Sequence, residues 1–101
     1  MLIYNITSKV SWYVHEEWLR WMITTYVPRV METGLFVKYQ LVKLLDTDEI
    51  EGPTYAVQYY IENRGLYDEF VQVFADGLKD NGIALWGDQV MAFRTLLEVI
   101  N

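Results

Sequence analysis

The chain offers few residues that could do chemistry. His15 is its only histidine, and there is no cysteine. His15 opens the run His15-Glu16-Glu17-Trp18-Leu19-Arg20-Trp21-Met22, but it lacks the i, i+4 partner of a helical zinc pair, so no metal is expected. Two roles are open to it: a proton shuttle at the rim of a cleft, or a half-buried ring satisfied by backbone or a carboxylate in a first helical turn. Arg94 is the second candidate, alone among the apolar residues of the last strand. Its planar fork suits a carboxylate or phosphate, and pairing with Glu98 or across a subunit boundary is the alternative. Asp46, Asp48, Glu49 and Glu51 crowd one loop without the spacing, central glycine or closing glutamate of a calcium-binding EF-hand. A solvated hairpin tip fits them better. Without cysteine, disulfides and thiolate chemistry are excluded. There is no Ser-His-acid arrangement and no glycine-rich phosphate loop, so no cofactor is expected.

Fourteen acidic residues against eight basic ones give a net charge of -6. Affinity for nucleic acid rests on basic side chains neutralising phosphates, and anionic membrane surfaces make the same demand, so both partners are disfavoured. No stretch approaches the ~20 apolar residues of a membrane span. The opening Met1-Leu2-Ile3-Tyr4-Asn5-Ile6-Thr7 has neither the basic flank nor the apolar run of a signal peptide, so a cytoplasmic location is expected.

The elements that must position these residues follow from periodicity. Leu2 to Val10 alternates as a strand, and Ser11 is a plausible helix N-cap. A helix from about Val14 carries the stripe Leu19, Met22, Ile23, Tyr26 and Val30, with Glu17, Trp21 and Glu32 opposite. Pro28 predicts a kink or a new short helix, and Gly34 a C-terminal stop. Strands over 35–45 and 54–62 flank the acidic loop and read as an antiparallel hairpin. Leu66, Phe70, Phe74 and Leu78 mark the buried face of a second helix, whose end beyond Gly77 the sequence leaves open. Gln89 to Ile100 is the last strand. The order β-α-β-β-α-β over residues 1–101 predicts one α+β domain of ferredoxin-like fold, a four-stranded antiparallel sheet with both helices on one face.

One sheet face is then bare. The alternation assigns Tyr4, Ile6, Val57, Tyr59, Met91, Phe93 and Leu97 to the helix side. It leaves Asn5, Phe36, Gln58, Tyr60, Val90, Arg94 and Leu96 on the other, a face too apolar for plain solvent. A homodimer packed through that face is the expected partner arrangement, with a small molecule in the cleft between the two sheets. Asn5, His15, Gln58, Tyr60 and Arg94 are the candidate ligand-binding residues; in the alternative, a cofactor-independent enzyme such as a monooxygenase or isomerase, His15, Tyr59 or Tyr60, Asn5 and Arg94 would be the polar groups converging on the cleft. Trp21 is an interaction candidate on the polar helix face, unless the end of the second helix, with Trp86, folds over it.

Beyond these patterns, the blocks Tyr4-Asn5-Ile6-Thr7, His15 to Met22, Pro28 to Phe36, Thr54 to Tyr59 and Ala92-Phe93-Arg94-Thr95-Leu96-Leu97-Glu98 resemble an uncharacterised bacterial family, domain of unknown function 4286. The resemblance runs nearly the whole chain and departs most around Gly77 to Gly82. It implies a small dimeric α/β-barrel domain with no assigned activity, so it transfers no functional residue.

Overall fold

A computed structural model describes all 101 residues. Strands β1 (Leu2–Val10), β2 (Lys38–Lys43), β3 (Thr54–Ile61) and β4 (Val90–Glu98) form one antiparallel sheet in the order β2-β3-β1-β4. Two helical runs, α1 over residues 15–32 and α2 over 64–86, connect β1 to β2 and β3 to β4. This is the ferredoxin-like βαββαβ arrangement, and β2 and β3 make the expected hairpin. The molecule measures 39 × 31 × 19 Å. Its short dimension is one sheet plus one helix layer, each of about 10 Å, so the second sheet face has no cover within the chain. No helix is long and apolar enough to cross a membrane.

Proline does not break α1. Residues Met22–Tyr26 form a π turn, in which the Val27 N–H reaches the Met22 carbonyl five residues back. The extra residue makes room ahead of Pro28, whose ring otherwise strikes the preceding turn. It also rotates the buried stripe. Trp18, Met22, Tyr26, Val27 and Val30 are buried, whereas Ile23, expected inside, is 57% exposed. Ser11 does not cap the helix; its carbonyl and hydroxyl hold the turn before it, through Val14 N–H at 3.1 Å and Tyr13 N–H at 3.2 Å. Gly34 follows at φ +77, a left-handed value that suits a residue without Cβ.

The face assignment holds for β1 and β3, where Tyr4, Ile6, Val57 and Tyr59 are buried. It fails at two places. Strand β2 begins at Lys38 rather than Leu35, so its alternation never reaches Phe36. That ring turns into the core, stacked on Tyr4 at 6.2 Å and edge-on to Phe70 at 4.9 Å. In β4 the phase is inverted. Pairing with β1 sets Ile6 opposite Arg94, Thr7 opposite Phe93, Lys9 opposite Met91 and Ile3 opposite Leu97. Directly opposed residues share a face, so Met91, Phe93 and Leu97 lie on the bare side, and Val90, Arg94 and Leu96 on the helix side. Both alternate sets of β4 are apolar, and only the register with β1 could decide between them.

Asn63 starts α2 by accepting the Leu66 N–H on its side-chain oxygen at 3.0 Å. The helix passes through Gly77 and Gly82 and ends at Gly87, φ +54. Phe70 is the only buried residue along its length. The helix is therefore buried most deeply near its start, and its last turns meet the core only through half-buried Leu78 and Trp86. Two glycines in the far half weaken it by roughly 1 kcal/mol each relative to alanine. Amide hydrogens of residues 78–86 should exchange at least about tenfold faster than those of 66–71 in native-state NMR exchange. Equal protection would show that the far half opens only with the whole domain.

Candidate functional site

The inverted phase of β4 places Arg94 beneath the helices. Its Nε–H donates to the Tyr4 hydroxyl at 3.1 Å. Tyr4 is fixed from below by β1 and from the sides by Tyr59 and Phe70, with ring centroids 6.2 and 5.5 Å away. The pair stands at the edge of a cleft of ≈ 220 Å³. Strand β1 contributes Ile6 and Ser8 to its wall, α1 contributes Trp18, Trp21, Met22 and Tyr26, and the far half of α2 contributes Leu78, Lys79, Gly82, Ile83 and Trp86. Val90, Ala92 and Arg94 complete it from the edge strand.

Trp21 does not stand free on a polar face. It is half-buried, tilted on Tyr26 at 4.9 Å and edge-on to Trp86 at 5.6 Å, so the end of α2 does fold over it. The Trp86 indole Nε1 is buried and has no hydrogen-bond partner. Such an orphan donor costs about 1–3 kcal/mol unless something accepts from it.

The only charged side chains in the cleft wall are Arg94 and Lys79; it contains no carboxylate and no imidazole. Arg94 belongs to neither ion pair of the molecule, which are Lys43–Glu49 and Arg64–Asp68. In a chain of net charge -6, this is a local reversal of sign. Burial raises the pKa values of Tyr4 and Tyr26 above the usual phenol value, against the lowering pull of Arg94. Tyr59 is pushed up further, by burial and by the neighbouring phenols Tyr26, Tyr4 and Tyr39, and its hydroxyl has no partner. These phenols stay protonated through the neutral range, which makes them hydrogen-bonding groups rather than bases.

The remaining candidates lie elsewhere. Asn5, Gln58 and Tyr60 are on the bare sheet face, where the pairing lines up Gln40, Gln58, Asn5 and Thr95 as one polar row across all four strands. Asn5 donates to the Thr7 hydroxyl at 3.0 Å, and the Lys38 ammonium sits 4.5 Å from the centre of the Tyr60 ring. His15 is half-buried at the start of α1, its Nε2 2.7 Å from the Tyr55 hydroxyl and its ring stacked on Tyr55 at 5.6 Å. The five candidates thus occupy three separate places. The acidic loop is locally engaged: Asp48 accepts the Ile50 N–H at 2.9 Å, and the Glu49 carbonyl accepts the Trp12 indole N–H at 2.8 Å. Tyr26 and Lys79 line the cleft, and Tyr4 holds Arg94 at its edge, without having been site candidates in the sequence. The usable signal was that β4 is apolar on both alternations, which leaves the side of Arg94 to its register.

Fold and cleft together define a small ferredoxin-like domain with a ligand-sized recess between its helices and an edge strand. The chain belongs to the family described as a domain of unknown function, DUF4286, which matches residues 1–100. No curated protein matches it in sequence. Among solved structures it is similar to a dimeric ferredoxin-like protein from an uncultured marine organism, with a TM-score of 0.76 and 12% identity over 99% of this chain and 95% of that one. It is also similar to an ethyl tert-butyl ether d family protein from Bacillus halodurans, with a TM-score of 0.72 and 7% identity over 99% and 100% of the two chains. A third is a mutant of SnoaB, a cofactor-independent oxygenase from Streptomyces nogalater, with a TM-score of 0.69 and 12% identity over 99% and 94%. At these identities the likeness is one of fold.

Proposed function

We propose that the protein is a homodimeric domain that binds a small ligand in the cleft beneath α2 and buries its bare sheet face against a second copy. Arg94 carries the reading. It is a cation without a carboxylate partner, in a concave and mostly apolar site. Apolar recesses with a few convergent polar groups are where small ligands bind. The dimer is supported by Met91 and Phe93, 60% and 61% exposed on the bare face, and by the dimeric description of the marine neighbour.

A second reading, a cofactor-independent enzyme, draws on the description of SnoaB. The cleft wall offers it no carboxylate or imidazole as a base, and the phenols beside it are held protonated, so binding is the better supported function. A fragment screen tests this directly, using NMR of the indole N–H signals of Trp21 and Trp86 and a library of neutral, cationic and anionic fragments. Saturable shifts confined to these indoles and their neighbours are expected. A library that moves neither signal would remove the binding function, and turnover of a bound fragment would move the reading to catalysis.

A further inference from the structure

We infer that the ligand of this cleft is a planar aromatic monocarboxylic acid of one or two rings, its carboxylate on Arg94 and its ring against Trp21 and Trp86. This inference rests on the reading of the cleft as a ligand site and adds the chemistry of what fills it.

Charge comes first. The wall carries two cations and no anion, so a cationic ligand would meet only repulsion. Arg94 spends its Nε–H on the Tyr4 hydroxyl, which leaves the terminal N–H groups of the guanidinium for a partner. A carboxylate takes two parallel hydrogen bonds from such a fork, and these charge-assisted bonds are about twice as strong as neutral ones. A neutral hydrocarbon would leave the guanidinium unpaired.

Phosphate is disfavoured by the same surroundings. Sites for phosphate groups recruit helix N-termini or nests of backbone N–H groups. The α2 residues in this wall come from its last turns, at the negative end of the helix dipole, where a single anionic group matched to one arginine is better tolerated than a dianion.

Shape sets the body of the ligand. A cavity of roughly 150 Å³ admits benzene, so ≈ 220 Å³ accommodates one ring with its carboxylate, or two fused rings. The indoles of Trp21 and Trp86 and the phenol of Tyr26 offer that ring offset or edge-on contacts.

The test titrates the purified protein with benzoate, 2-naphthoate, 2-naphthamide and phenyl phosphate, followed by tryptophan fluorescence and calorimetry. Naphthoate should bind saturably and more tightly than naphthamide. Arg94→Gln should weaken naphthoate at least about tenfold while leaving naphthamide unchanged, and Arg94→Lys should fall between the two. Arg94 is solvent-exposed on one side, so the variants are expected to fold, and circular dichroism checks this. Naphthamide binding as tightly as naphthoate, or phenyl phosphate binding tenfold tighter than benzoate, would overturn the acid while leaving the cleft a ligand site. Arg94→Gln weakening acid and amide alike would assign the arginine to structure and overturn the inference. If none of the four binds while the fragment screen yields only neutral or cationic ligands, this inference falls alone. If the screen is empty too, both readings fall.

Discussion

Phe93→Asp is expected to convert a dimer into a monomer, with the dissociation constant rising by about a thousandfold or more in analytical ultracentrifugation. Phe93 stands on the bare face of β4, 61% exposed, in the row Val42, Ala56, Thr7 and Phe93. With Met91 and Leu97 it forms an apolar ridge at the edge of the sheet. A two-fold interface repeats every contact, so one substitution acts twice. Burying a phenylalanine side chain is worth about 1.5–3 kcal/mol, and the aspartate adds the cost of taking a carboxylate from water. Two copies losing about 2.5 kcal/mol each lower the association by more than three factors of ten. The monomer should keep its fold, because Phe93 contributes nothing to the core on the helix side. A dimer that survives the substitution unchanged would place the subunit contact elsewhere.

The largest loss of stability is expected from Gly52→Ala. Gly52 sits at φ +156 where the hairpin loop passes the end of β1, and a Cβ there would lie 1.7 Å from the Val10 carbonyl oxygen and 2.7 Å from its carbon. The obstacle is backbone, so it cannot rotate away. The loop cannot retreat freely either. Val10 N–H donates to the Pro53 carbonyl at 2.9 Å and Trp12 N–H to the Glu51 carbonyl at 3.1 Å, with Pro53 itself buried. Relieving the collision breaks these bonds and exposes their partners, a loss of about 3 kcal/mol or more. For a domain of this size that lowers the melting temperature by roughly 12–24 °C. Gly87→Ala separates strain from collision: it also has positive φ but nothing within 4 Å of its Cβ, so it should cost the backbone strain alone, about 1–3 kcal/mol. Equal melting temperatures for the two variants would show that the loop re-routes at no cost.

Much of the architecture was legible because periodicity and breakers agreed. The alternation of Leu2 to Val10, the acidic turn between two strands and the i, i+4 row from Leu66 to Leu78 each had one physical reading. The site was less legible because it depends on register. Nothing local to β4 says whether Arg94 or Phe93 faces the helices, since both neighbouring sets are apolar; nine backbone pairings with β1 decide it. The π turn ahead of Pro28 is similar. A projection at 100° per residue assumes a regular helix, and one extra residue in a turn was enough to put Ile23 outside and Trp18 inside. Trp86 was visible only as a bulky residue near a doubtful helix end, and its part in the cleft required α2 to continue through two glycines.

The shallow burial of the far half of α2 has a consequence for binding kinetics. The segment that roofs the cleft holds no fully buried residue, only Leu78 and Trp86 half-buried against the core, so lifting it would expose less apolar surface than displacing the sheet or α1. If the cleft holds a ligand as proposed, its exchange would be paced by how often that segment lifts rather than by diffusion to a rigid pocket. Residence time becomes adjustable without touching any group that contacts the ligand, because Gly77 has open space where a Cβ would go, and alanine there would slow arrival and departure together.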